Sequence, residues 1–381
     1  MTIIHLSDLH IGKSLHGFSL LEDQKHILDA IAGDVIRRSP GAVIIAGDVY
    51  DKPVPSVEAV RVFDDFLTRL AGGGAVVFII SGNHDSPERL CFAGNILGKY
   101  NIHFCGSFDG TLKSVTLADH DGGIRFHMLP FIKPSHVRRF FGNRAIESAN
   151  DAVAAVLSTA RLDGNAKHVL IAHQFVSGGG CEPATCESES ISVGGTDAVD
   201  PALFAGFDYV ALGHLHGPQY VFREHIRYCG APLKYSFDEA RQNKSVTVVT
   251  LDRAGARPAI TEAFFSPLRD VRTLRGTLAG LTDEARIPRE GRDDYIHIVL
   301  TDNDAGYDAI GKIRRVYPNS ILSFDNARTG APSDFSQAVR STRKRPAELF
   351  ASLFEEQNGR AMTGSQQSII EQVIRDAEAG P

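Results

Sequence analysis

The chain of 381 residues has no tryptophan, 3 methionines, 5 cysteines and no apolar run near the length of a membrane span, for which roughly 18 consecutive residues are needed. Its start, Met1-Thr2-Ile3-Ile4-His5, has neither a charged leader nor a long apolar stretch, so no export signal is expected. Five cysteines is an odd and sparse set. Cys181 and Cys186 are separated by four residues, a spacing that fits no common zinc site, and a reduced, cytoplasmic protein with an exposed, idle thiol loop is the expectation. Positive charge is not in excess either. Lys and Arg number 40 against 46 Asp and Glu, leaving −6 with His neutral, which argues against a basic nucleic-acid coat or a polybasic membrane-surface protein. What is plentiful is apolar residues, 43% of the chain, and histidine, 15 copies. The first excludes disorder, and the length predicts two or three domains at about 150 residues each.

Short apolar runs at Thr2–Leu6, Ala42–Ala46, Ala75–Ile80, Ile124–Leu129, His168–Ala172, Tyr209–Leu212 and Val246–Leu251 predict strands. Three- and four-residue spacing predicts helices at Leu20–Arg38 and Val57–Leu70. A further helix is expected after Asp85, with Ser86 as cap and Pro87 in its first turn. Strands alternating with helices predict an α/β layered domain with a mixed sheet. Gly178–Gly195 reads as a long loop. From Leu268 to about Asp334 a separate small α/β unit is expected, with a strand at Tyr295–Leu300, a helix at Tyr307–Val316 and a strand at Ser320–Phe324. The tail predicts two short amphipathic helices. One carries Leu349, Phe350, Leu353 and Phe354, the other Ile369, Ile370, Val373 and Ile374. Helices this short need a surface, either their own protein's or a partner's.

Polar residues fall just past the strands: Ser7-Asp8-Leu9-His10, Gly47-Asp48-Val49-Tyr50-Asp51, Gly82-Asn83-His84-Asp85, the strand-end His173, and Gly213-His214-Leu215-His216. Strand ends of an open α/β sheet form its ligand-binding edge. Carboxylates gathered there repel one another unless a cation is present. Oxygen and imidazole donors without thiolates suit manganese, iron or zinc. Seven ligand-type residues exceed one ion's needs, so two ions sharing a carboxylate are expected, the recurring arrangement for hydrolysing phosphate esters.

The ordered set resembles the calcineurin-like metallophosphoesterase superfamily, and within it the DNA-repair nuclease branch. That likeness covers nearly the whole chain. It rests on Ile4-His5-Leu6-Ser7-Asp8-Leu9-His10-Ile11-Gly12, on Gly213-His214-Leu215-His216-Gly217-Pro218-Gln219, and on Tyr228-Cys229-Gly230-Ala231-Pro232-Leu233-Lys234-Tyr235-Ser236-Phe237. The resemblance implies a layered β-sandwich phosphoesterase domain over 1–266, a small α/β capping domain over 267–335 and a helical tail over 336–381 that binds an SMC-like ATPase subunit. It implies Asp8, His10 and His216 on one metal, Asn83, His173 and His214 on the other, and Asp48 between them. The ions are expected to be Mn2+, with Mg2+ as the alternative. His84 is the implied catalytic histidine. Asp51 resembles the second Asp of the motif Gly-Asp-x-x-Asp, which orients that histidine, although a cap on the turn before Pro53 explains it too. Homodimerisation through Val57–Leu70 and Glu88–Lys99 is implied, giving a dimer within a heterotetramer. Double-stranded DNA ends and hairpins are the implied substrates, with phosphate contacts from Lys133, Arg138, Arg139, Arg144 and the run Arg340–Arg345. A small-molecule or protein phosphoesterase on the same scaffold, and a catalytically idle DNA-end scaffold, stand as rival readings.

Overall fold

The computed structural model describes residues 1–119, 122–142, 145–164, 166–178, 180, 182–189, 197–252, 255–283, 291–302, 308–324, 350–351, 354 and 361–379. Two six-stranded mixed sheets dominate it. In chain order the strands are β1 (Thr2–Leu6), the two-residue β2 and β3 (Ser14–Leu15, Phe18–Ser19), β4 (Ala42–Ala46), β5 (Val76–Ile80), β6 (Ile102–Cys105), β7 (Lys113–Leu117), β8 (Ile124–Leu129), β9 (Lys167–His173), β10 (Tyr209–Gly213), β11 (Gln219–Val221), β12 (Arg223–Tyr228), β13 (Ser245–Thr250) and β14 (Ala259–Phe264). The first sheet runs β14-β13-β1-β4-β5-β6, the second β11-β12-β10-β9-β8-β7. Within the first, β1, β4, β5 and β6 are parallel, in registers such as Ile3↔Ala42, Ala42↔Val76 and Val77↔Ile102. Within the second, β8, β9, β10 and β12 are parallel.

The strands are apolar throughout because both faces are covered. Alternate residues of β4 and β5 divide between two cores. Val43, Ile45, Val77 and Ile79 pack under the helices α1 (Leu21–Arg38) and α2 (Val57–Gly72). Ala42, Ile44, Phe78 and Ile80 face the second sheet. There they meet Phe126, Val169, Ile171, Tyr209 and Ala211. The rings of Phe78 and Phe126 stack across this inter-sheet layer with centroids 4.3 Å apart. Truncating either to alanine should cost about 3–5 kcal/mol. The expected α/β layering is present as a sandwich of two mixed sheets.

Several local expectations are revised. The helix expected over Glu88–Lys99 is broken into Pro87–Leu90, Gly94–Leu97 and a 3-10 turn at Gly98–Tyr100. Ala93 takes φ 60° at the break, a conformation that halts an α-helix. The Ser86 hydroxyl bonds Glu88 instead of capping the backbone. Cys186 is buried, not exposed, and burial pushes its thiol up to about 12; Cys181 lies outside the described residues.

The small unit adds a parallel sheet, β15 (Val271–Gly276), β16 (Tyr295–Leu300) and β17 (Ser320–Phe324), with a helix at Ala309–Val316. β15 escaped the sequence reading because its side chains alternate with charged ones. A polar latch ties this unit to the sandwich. Arg269 Nη1 donates to Asp23 at 2.8 Å and its other nitrogen reaches Glu22. The Tyr295 hydroxyl donates to the same buried Asp23 at 2.8 Å. In the tail, the helix Gly364–Ala379 leaves Ile369 and Val373 exposed, and most of the preceding amphipathic segment lies outside the described residues.

Candidate metal centre

Every parallel strand of the two inner sheets ends on the same side, so their C-terminal loops converge. The loops after β1 and β4 run together through main-chain bonds: Asp8 N to Gly47 O at 3.1 Å, His10 N to Asp48 O at 3.0 Å and Ile11 N to Val49 O at 2.9 Å. Asp8, His10 and Asp48 take φ of 53°, 43° and 49°, and His214 takes 107°. Non-glycine residues rarely occupy such regions, and the strain, about 1–3 kcal/mol each, persists only where surroundings enforce it. Part of that enforcement comes from Gln24 on α1, which is buried. Its amide nitrogen donates to His10 O at 2.7 Å and to Leu9 O at 3.2 Å, and its oxygen accepts from Gly12 N at 2.9 Å.

Asp8, His10 and His216 bring one donor atom each within 4.8 Å of one another, as do Asp8, Asp48 and His173, and also His10, Asp48 and His84. His10 Nε2 and His216 Nε2 lie 3.1 Å apart. Asn83 Oδ1 is 3.0 Å from both His173 Nε2 and His214 Nδ1. Asp48 Oδ2 is 3.4 Å from His173 Nε2 and 3.6 Å from His10 Nε2, and so faces both groups. All seven residues expected as ligands therefore meet in one place, and six of them are buried.

The donor set fits divalent ions. Burial holds His10 well below the ordinary imidazole range, with Asp48 opposing it. Burial, reinforced by His173, pushes His214 down to about 3. These rings are neutral, with lone pairs free to bind a cation. Burial raises Asp8. Burial opposes the ionisation of Asp48 too, but His173 and its neighbours hold that carboxyl well below the usual range. His173 is raised to about 9 because Asp48 outweighs its burial, so a proton on Nε2 stands where a metal would neutralise the same carboxylate. His10 Nδ1 is buried without a hydrogen-bond partner.

His84 is partly exposed. Its main-chain N–H donates to Asp48 Oδ1 at 2.9 Å, and its ring Nδ1 lies 2.9 Å from the main-chain carbonyl of Asp51. That carbonyl only accepts, so Nδ1 carries the hydrogen. The Asp51 carboxylate is elsewhere, paired with Lys13 at 3.0 Å and 3.7 Å from His10 Nδ1. The orienting contact to His84 that the motif implied for the Asp51 side chain is thus made by its backbone.

Asp85 has a part that the sequence reading overlooked. Its buried carboxylate accepts from Tyr50 N at 2.9 Å, Gly82 N at 3.0 Å and Val49 N at 3.2 Å, joining the loops after β4 and β5. Burial and the nearby Asp48 raise it to about 6. Of the basic residues named for phosphate contact, Lys133 lies over the ring of Phe131, whose centroid is 6.3 Å from that of His173, and so sits at the rim. Arg139 stacks on Phe140, while Arg138 donates to Ile146 O at 2.6 Å. Arg144 and the run Arg340–Arg345 lie outside the described residues.

Two facing mixed sheets with Asp, Asn and His donors gathered at their strand ends define a metal-dependent phosphoester hydrolase. The family model of the calcineurin-like phosphoesterases matches residues 1–218, and that of the type 5 capsule protein repressor C-terminal domain matches 267–358. The chain is 32% identical over 342 residues, 88% of each chain, to a protein of Staphylococcus epidermidis named as the SbcD subunit of nuclease SbcCD. It is 31% identical to the Staphylococcus saprophyticus protein of the same name, over 89% of this chain and 87% of that one. A dimetal phosphatase from Danio rerio aligns with 69% of this chain and 98% of its own at 10% identity and a TM-score of 0.41, a distant likeness only. The chain belongs to the calcineurin-like phosphoesterase family.

Proposed function

We propose that this protein is the nuclease subunit of an SbcCD-type complex, hydrolysing DNA phosphodiester bonds in repair, replication and recombination. One observation carries the reading: seven donor side chains from five separate strand ends meet around Asp48. Asp8, His10 and His216 would hold one divalent ion and Asn83, His173 and His214 the other, with Asp48 shared. Mn2+ is the ion of choice and Mg2+ the alternative. A bound pair supplies a hydroxide nucleophile at neutral pH and positive charge facing the phosphoryl oxygens.

The protein's own groups do the rest. His84, fixed by its Nδ1–H bond to the Asp51 carbonyl, keeps Nε2 free and, when doubly protonated, gives that proton to the departing oxygen. Asp51 supports the site from beside Lys13 and His10. Lys133, Arg138, Arg139 and Arg144 are the proposed phosphate contacts, which would raise local substrate concentration despite the overall charge of −6. Exposure of Ile369 and Val373 on the last helix supports docking of the tail on an SbcC-type, SMC-like ATPase subunit, helix in groove. The proposed activities are ATP-dependent 3′→5′ exonuclease action on double strands and endonuclease cutting of hairpins, in a cytoplasmic homodimer within a heterotetramer.

A cleavage assay on hairpin DNA with Mn2+, run with and without the ATPase subunit and ATP, tests this beside a cyclic nucleotide. Cutting of the hairpin is expected, with double-strand degradation only in the full complex. Hydrolysis of the cyclic nucleotide with the DNA left intact would replace this reading with a small-molecule phosphodiesterase.

A further inference from the structure

The imidazoles of the centre are not held alike. His173 Nδ1 is 2.8 Å from the main-chain oxygen of Ala46, so a backbone carbonyl fixes its tautomer. His216 Nδ1 instead lies 2.7 Å from the hydroxyl oxygen of Ser188. That hydroxyl is itself 2.6 Å from Glu239 Oε1. Glu239 is fully buried, on the 3-10 turn Asp238–Arg241. It accepts from the Ser236 hydroxyl at 2.6 Å and Tyr235 N at 3.2 Å, and Lys244 Nζ lies 2.5 Å from Oε2. Burial opposes its ionisation, but the contacts with His216 and Lys244 prevail and hold it well below the usual carboxylate range.

An ionised carboxylate can only accept, so the single hydroxyl hydrogen of Ser188 must point to Glu239. The Ser188 oxygen is then left to accept, and the ring must present Nδ1–H. Its Nε2, 3.1 Å from His10 Nε2, is left as the bare lone pair. The backbone of the same residue is clamped too, with His216 N donating to Glu189 Oε1 at 2.6 Å. We propose that Glu239, acting through Ser188, is a positioning residue that sets the tautomer of His216 and so builds the Asp8–His10–His216 side of the centre. The inference rests on the two-metal reading above. It also gives a role to residues 182–189, part of the stretch Gly178–Gly195 that the sequence presents as a plain loop.

Partners that orient ligating histidines typically change metal affinity by about 10–100-fold when removed. The full-length, metal-stripped chain should therefore be titrated with Mn2+ by calorimetry, alongside histidine 15N NMR to read the tautomer. The wild type is expected to bind two ions and to show the Nδ1–H form at His216. Ser188→Ala and Glu239→Gln should each weaken one ion by about 10–100-fold and leave the other within about twofold. Ser188→Ala should also lose the single-tautomer signature, while Ser188→Thr, which keeps the hydroxyl, should restore both. If Glu239→Gln fails to fold, Ser188→Ala carries the test, because it spares the Glu239–Lys244 pair. Unchanged affinities in folded Ser188→Ala, or equal weakening of both ions, overturns the proposal. A wild type that binds no Mn2+ overturns the metal reading instead, and the tautomer spectrum still decides the relay.

Discussion

The two halves of the centre are built by different means. Around His173, Asn83 and His214 the fixed points are backbone and packing. The Ala46 carbonyl holds the His173 ring, and Gly213 and Gly82 allow the loops to approach within contact of Ala46 and Asp48. Around Asp8, His10 and His216 the fixed points are side chains brought from afar: Gln24 on α1, Ser188 and Glu189 in a loop, and Glu239 on a 3-10 turn. A half braced by backbone is as rigid as its sheet. A half braced by side chains can be lost by a single substitution that leaves the sheet intact.

His84 stands between the halves, so replacing it should touch neither. His84→Ala is expected to cut the cleavage rate by about 10²–10⁴-fold while both Mn2+ ions still bind; normal cleavage would remove His84 from the chemistry. Gly213→Ala attacks the backbone-braced half. A Cβ there would lie 2.0 Å from the Ala46 oxygen that holds His173. It should weaken the ion assigned to His173 and spare the one assigned to His216, the mirror of the Ser188→Ala result. An ion-by-ion Mn2+ titration in which both variants lose the same ion would abolish the distinction between the halves.

Asp85→Asn is a milder probe of the loops after β4 and β5. An amide can serve the two donors on one oxygen or the single donor on the other, but not all three. A loss of about 1–3 kcal/mol is expected in a denaturant melt. The smallest effect lies outside both halves. His127 is buried and its Nε2 is 3.0 Å from His168 Nδ1. Burial, then the neighbouring His168 and Arg125, push it down to about 4. The unfolded chain takes up this proton near 6.5, the folded one only near 4, so its contribution is complete above pH 6.5. It is lost as pH falls towards 4, by no more than about 3 kcal/mol. Melting curves of His127→Leu should be flatter over that interval than those of the wild type.

Much of this arrangement is legible in the sequence for a physical reason. Strands buried on both faces must be apolar, so Val43-Ile44-Ile45 and Val76–Ile80 stand out, and so do the Asp, Asn and His that follow them. Less visible were the edge strands β6, β7 and β14, where polar residues break the run, and the interruption at Ala93 within an otherwise helical spacing. Gln24, Asp85 and Glu239 were not legible as parts of the site. Their work is to receive or supply hydrogen bonds from segments distant in the chain, and no spacing records that. Asp51 shows the converse: its motif marked the right residue, but its carbonyl, not its carboxylate, meets His84.

The latch between the sandwich and the small unit bears on how the protein can be taken apart. Asp23 is 1% exposed and takes its partners, Arg269 and Tyr295, from beyond residue 266. A catalytic fragment cut at that boundary would leave a buried carboxylate with neither partner. Such a fragment should be less stable than the sum of its contacts implies. Thermal unfolding of the whole chain should then link the sandwich and the small unit in one cooperative transition.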